Sequence, residues 1–154
     1  MGIQESKVFR IAVVGAIAGV MAWVVPHFRT VLTPSVRYSL LWEVGGTGAK
    51  GDYVNVPLPL QFRKEGRPPR MTKRIGCVGG ELLSYERGQH YCNGEWLGSV
   101  LKYGSDGRPL TPFVWNGLIP AGKVYLVGDD PRSYDSRYLG FFDQSQTIRL
   151  KGLL

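Results

Sequence analysis

A chain of 154 residues with 44% hydrophobic content makes one domain around one core. Its 21 glycines and 10 prolines argue against a helical bundle and for a mostly β fold of short strands and turns. The net charge of +7 permits contact with acidic lipid headgroups. No arginine-rich run interleaved with aromatic residues occurs, and no helix-turn-helix or finger spacing, so no nucleic-acid partner is expected.

The first element is a membrane signal. Ile11 to Val25 carries no charge and follows Lys7 and Arg10. About 15 helical residues span only roughly 22 Å, but Val8 and Phe9 extend the run and Arg10 can snorkel. A cleavable signal is the rival, yet Pro26, His27, Phe28 and Arg29 follow instead of a small-x-small site. A buried core helix fits less well, because the run has no polar face. The expected organisation is a short cytoplasmic tail over 1–7, a transmembrane anchor over 8–26 and an extracytoplasmic domain over 27–154. Lys7 and Arg10 compete with Arg29 and Arg37 for orientation. The expected location is the inner (cytoplasmic) membrane, single-pass, with the domain on the periplasmic or outer side.

Next comes TPSVRYSLLWEV, Thr33 to Val44. A hydroxyl-rich turn here reads either as a linker or as a nucleophile site. In the second reading Ser35 attacks, while the Thr33 hydroxyl and the Ser35 backbone N–H stabilise a developing oxyanion. Gly51 to Val54 then close a Gly-rich loop and open the alternating run YVNVPLPLQF, a turn into a strand. The loop is no phosphate cradle, since Lys50 is followed by Gly51.

After the basic stretch RKEGRPPR comes RMTKRIGCVGGELL. Lys73 on such a strand would have Met71 and Ile75 on its own face. A lysine takes a proton from serine only if burial lowers its pKa by several units; the alternative is an ordinary surface Lys-Arg pair.

Cys77 and Cys92 are the two cysteines. They suit a disulfide in an oxidising compartment or, equally, two buried thiols; a metal site with His90 matches no common zinc spacing. Asn93-Gly94 signals a hairpin that puts Cys92 at a strand end. WLGSVLKY, a turn at Asp106-Gly107, LTPFVW, Asn116-Gly117 and KVYLVG suggest further strands with tight connections, and TIRLKGLL a closing one.

Between the last two lies GDDPRSYDSRYLG, Gly128 to Gly140. Ser133, Asp135 and Arg137 alternate, so an extended backbone would point all three to one side. Asp135 and Arg137 can then form a charge-assisted pair and leave the Ser133 hydroxyl to hold something else. A solvated polar turn is the plain alternative.

Gly128, Asp129, Ser133, Asp135, Ser136, Arg137, Tyr138 and Gly140 resemble the C-terminal signature box of type I signal peptidases, the membrane-anchored Ser/Lys proteases. Lys73, Arg74, Ile75 and Gly80 are similar to that family's lysine box, with Gly79 for a usual Pro and Glu81 for a usual Asp. Gly51, Asp52 and Val54 resemble its structural Gly-Asp-x-Val box. Thr33 and Ser35 with their aromatic-apolar tail look most like the conjugal-transfer branch, the TraF-type peptidases. That branch usually has Pro two residues after the serine and often Gly two further on, where this chain has Arg37 and Ser39; Ser39 therefore stands as the alternative nucleophile.

The resemblance implies a signal-peptidase-like β domain behind one transmembrane helix, with no cofactor and no metal. It assigns the nucleophile to Ser35, the general base to Lys73 and the oxyanion donors to Thr33 and Ser35. Ser133 would orient Lys73, and Asp135 and Arg137 would brace Ser133. The implied partners are membrane lipid and a membrane-delivered precursor cut after small side chains, a conjugative propilin on this branch, with cyclisation of the pilin as one ending. A housekeeping signal peptidase and a non-catalytic pilus-assembly module are the alternatives.

Overall fold

The computed structural model describes the chain apart from residues 1, 32–34, 64 and 67–68, with the side chains of the first helix described from Lys7 onward. Helix α1 runs over Gly2–Val24. Within it begins an apolar span, Lys7–His27, of 21 residues, none of it buried against the rest of the chain. At 1.5 Å per residue that length reaches about 30 Å, enough for a hydrocarbon core, and it fits a single-pass membrane anchor. Pro26 converts the helix end into a 3-10 turn over Val25–His27. The Trp42 ring then meets Trp23, His27 and Phe28 at centroid distances of 6.3, 5.3 and 4.9 Å, joining the end of the apolar helix to the first strands.

The domain is built from eleven described strands. They are β1 (Phe28–Thr30), β2 (Leu40–Glu43), β3 (Tyr53–Pro57), β4 (Arg70–Val78), β5 (Leu82–Glu86), β6 (Gln89–Cys92), β7 (Glu95–Ser99), β8 (Gly117–Leu118), β9 (Lys123–Val127), β10 (Phe142–Asp143) and β11 (Ile148–Gly152). A short helix, α2, spans Ser136–Leu139. One sheet has the order β1-β2-β11-β3-β4-β9-β10 and the other β7-β6-β5-β8. Every pairing is antiparallel.

Alternation along β9 assigns its two faces. Val124 and Leu126 pack with Val54, Val56 and Ile75 on one side. Tyr125 and Val127 pack with Cys77, Leu83, Cys92 and Ile119 on the other, where the second sheet docks. A bulge between Ile75 and Cys77 lets β4 serve both cores, since Ile75 opposes Leu126 while Cys77 opposes Tyr125. Gly76 sits at this bulge, and a Cβ there would come within 3.2 Å of Leu97 from the second sheet.

Following the register outward from β3 shows which ends coincide. Phe28 pairs with Trp42 and Trp42 with Lys151, one step beyond the Leu150–Tyr53 pair, so the chain enters β1 level with the start of β3. Lys73 pairs with Val54, the second residue of β3. Lys73 thus sits close to the level at which the chain leaves α1 for the sheet, four strands away from β1.

Several expected elements differ. LTPFVW forms no strand: the Phe113 N–H donates to the Arg137 carbonyl at 2.8 Å, and the Phe113 and Trp115 rings pack on the second core. Asn116-Gly117 is not a hairpin turn. Gly117 opens β8, the Asn116 side chain accepts the Tyr85 N–H at 2.8 Å, and the reversal into β9 falls at Pro120 to Lys123. WLGSVLKY is a strand only as far as Ser99. Asn93-Gly94 does turn the β6–β7 hairpin, with φ of 50° and 83° as a two-residue loop requires.

Candidate active site

The segment after β9 is not extended. Asp135 adopts a β-region backbone and caps α2, accepting the Arg137 N–H, so Ser133, Asp135 and Arg137 do not alternate on a strand. The three are gathered by hydrogen bonds instead. Arg137 is 1% exposed and grips Asp135 through Nε at 2.9 Å and through a second guanidinium nitrogen at 2.8 Å. The same guanidinium donates to the Ser133 carbonyl at 3.0 Å, the Pro131 carbonyl at 3.1 Å and the Ser99 carbonyl at 2.8 Å. Asp135 also accepts the Gly128 N–H at 2.8 Å. Burial opposes the Arg137 charge, and Asp135 more than offsets that, holding the guanidinium protonated.

Lys73 comes to this network from β4. It is 5% exposed, and its Nζ donates to Ser133 Oγ at 2.6 Å. Burial pushes its pKa below the ordinary lysine value, with Asp135 pulling the other way and Arg137 adding to the fall. Among the described residues no ion pair reaches Lys73. Asp135 is committed to Arg137, so the amine is left with a neutral partner.

Ser35 lies half-buried at the adjoining loop. The Asp129 N–H donates to its carbonyl at 2.9 Å. Gly128 fits between the two serines: a Cβ there would overlap Ser133 Oγ and stand 3.1 Å from the Ser35 carbonyl oxygen. Gly128 therefore lies between Ser133, the hydrogen-bond partner of Lys73, and the main chain of Ser35. Thr33 lies outside the described residues. Ser39 points elsewhere, its hydroxyl donating to the Leu154 carbonyl at 3.3 Å.

One residue at this junction carried no role in the sequence reading. Asp129 accepts the Arg37 N–H at 2.7 Å and the Tyr53 hydroxyl at 2.6 Å, and its other oxygen lies 3.5 Å from Arg74 Nε. It ties the Ser35 loop to the end of β9 from both main-chain sides. Burial first, then Asp129, pushes Tyr53 up to about 12, so it stays a donor. A second carboxylate directly after a buried strand, in Gly128-Asp129-Asp130, was the available signal.

Cys77 and Cys92 form a disulfide with a Cα–Cα distance of 5.8 Å. Glu81 lies beside them, making the only described group of potential metal ligands, and both sulfurs are already bonded to each other. His90 is fully buried with its Nε2 at 2.7 Å from the Phe113 carbonyl; burial lowers its pKa.

A family model for signal peptidase, peptidase S26, matches residues 7–150. This chain belongs to the S26 signal peptidase family. The crystal structure of a signal peptidase I from Enterococcus faecalis V583 is 26% identical, with 71% of this chain and 97% of that one covered, at a TM-score of 0.42. A transposase for insertion sequence element IS1111A from Coxiella burnetii (strain RSA 493 / Nine Mile phase I) is 34% identical over 120 residues, 74% of this chain. The chain spans about a third, 32%, of the length of that curated relative. Membership of the S26 signal peptidases accords with the mostly β domain and the single N-terminal apolar helix.

Proposed function

We propose that this S26 family member is a membrane-anchored serine endopeptidase that uses Ser35 as nucleophile and Lys73 as general base on a membrane-delivered, signal-bearing precursor. The observation that carries the reading is the Lys73 amine, dry, pushed toward neutrality, and held by Ser133 beside the loop bearing Ser35.

Neutral Nζ takes the Ser35 Oγ proton as that oxygen bonds to the scissile carbonyl carbon. The Ser35 N–H and the Thr33 hydroxyl hold the resulting oxyanion. The carbon–nitrogen bond then breaks, the leaving amine takes the proton from Lys73, and the acyl group stays on Ser35 as an ester. Lys73 then takes a proton from water as the water oxygen bonds to the ester carbon; the carbon–Oγ bond breaks, and Lys73 returns the proton to Ser35 Oγ. Ser133 fixes the amine, and the Asp135–Arg137 pair fixes Ser133.

The Thr-x-Ser form of the nucleophile box supports a conjugative propilin as the precursor. If a chain amine replaces water in the last step, the product is a cyclic pilin. The apolar helix supports an inner-membrane anchor over 8–26, and the disulfide supports placing 27–154 on the oxidising, periplasmic side.

Precursor incubated with Ser35→Ala or Lys73→Ala protein in bilayers should stay uncut while both variants remain folded by circular dichroism. Ser39→Ala should process normally. Processing by Ser35→Ala together with its loss in Ser39→Ala would move the nucleophile to Ser39; mass spectrometry of the product distinguishes a linear from a cyclic chain.

A further inference from the structure

We infer that the groove beside the Ser35 loop docks a precursor segment carrying a carboxylate, and that Arg37 is the side chain that reads it. The groove holds about 660 Å³ and is walled by Arg37, Arg74, Asp129, Trp96 and Arg137 among others. Its charge is unbalanced. Three arginines face one wall carboxylate, Asp129, and Asp135 behind the wall neutralises Arg137. Asp129 is itself occupied by Arg74, Tyr53 and the Arg37 N–H. One cation remains in excess, and it is the exposed side chain of Arg37, to which no ion pair is found among the described residues.

Two features make this a reader of substrate charge and not a stray surface arginine. Arg37 follows Ser35 by two residues, so a peptide lying across Ser35 passes its side chain. Its own N–H is held by Asp129 at 2.7 Å, which fixes the main chain from which the guanidinium projects. Trp96, 56% exposed on the opposite sheet, supplies an apolar wall that shields a charge pair formed in the groove. A pair of this exposure contributes up to about 1 kcal/mol, a factor of roughly five in affinity.

The occupant assumed here rests on the peptidase reading, so the charge preference is measured without turnover. Full-length Ser35→Ala protein in neutral-lipid nanodiscs is titrated with fluorescent peptides in which each position flanking an alanine cleavage site is Asp, Asn or Lys. At one position or more, the Asp peptide should bind about fivefold tighter than its Asn partner and more tightly still than Lys, with the gap closing as salt rises. Arg37→Gln should abolish the gap, and Arg37→Glu should reverse it. Equal binding of Asp, Asn and Lys peptides at every position, or a preference unchanged in Arg37→Glu, overturns the inference. Displacement of the Asp peptide by anionic but not neutral phospholipid would give the groove to a headgroup and overturn it too. Cleavage by the unaltered protein is scored separately, so failure of the peptidase reading leaves this result legible.

Discussion

Two lysines of this domain meet opposite surroundings. Lys50 stands half-exposed at the small sheet, 2.9 Å from the Glu81 carboxylate and 3.8 Å from that of Glu95. Lys73 is buried on the large sheet and donates to a serine hydroxyl. Lys50 ends a Gly-rich loop and Lys73 lies within RMTKRIGCV; only Lys73 is buried and lacks a charged acceptor among the described residues. The difference teaches that an amine's pKa is set by what surrounds it: burial lowers that of Lys73, and Asp135, which would raise it, is paired with Arg137.

The sharpest way to break the contrast is to give Lys73 the kind of partner Lys50 has. Ser133→Asp should hold the amine protonated and lower precursor cleavage at neutral pH by about a hundredfold or more, with partial recovery as pH rises. Cleavage rates from pH 6 to 10 check this; a rate equal to that of the unaltered protein at neutral pH contradicts it. Lys73→Arg should be inactive at every pH, since guanidinium stays charged.

Removing the partner of Asp135 comes next. Arg137→Ala leaves Asp135 buried and unpaired, and should cost about 3–5 kcal/mol of stability in denaturant unfolding. In whatever fraction folds, the freed carboxylate should also shift the acid limb of the activity profile upward. Cys92→Ser opens the loop closed with Cys77, 15 residues away, and should cost about 3 kcal/mol with little change in that limb. At the small end, Lys50→Gln should change stability by less than about 1 kcal/mol, because a half-exposed pair is screened by water.

Stability should follow the sign of the Lys73 shift. Its pKa is lower folded than unfolded, so the unfolded chain binds the proton more readily between the two values. The penalty for burying the charged amine is therefore full below the folded pKa and fades as pH climbs to the ordinary lysine range. Lys73→Met should accordingly gain most over the unaltered protein in acid, and the gain should shrink with rising pH.

Much of this was legible along the chain. Alternation in Tyr53–Pro57 and the apolar run Lys123–Val127 gave strands, and Asn93-Gly94 gave its hairpin. Lys73 was a candidate through the resemblance of Lys73, Arg74, Ile75 and Gly80 to a lysine box, and its apolar strand neighbours Met71 and Ile75 do pack in the first core. The segment 128–140 misled for a local reason: Asp135 can cap a helix as readily as it can alternate in a strand, and the buried guanidinium favours the cap. The clamp made by Asp129 was hidden for a different one. Its partners Arg37 and Tyr53 lie 92 and 76 residues away in sequence, a distance no periodicity spans. The central place of β11, between β2 and β3, was likewise invisible, since strand order is decided by packing and not by pattern.

The most direct test of the account is the titration of one amine. In full-length Ser35→Ala protein carrying labelled lysines, with Lys73→Met supplying the assignment, the Lys73 side-chain NMR resonance should titrate well below the remaining lysines. A Lys73 resonance that moves with the others, near the ordinary value of about 10.4, would show a charged amine beside Ser133 and contradict its role as the base.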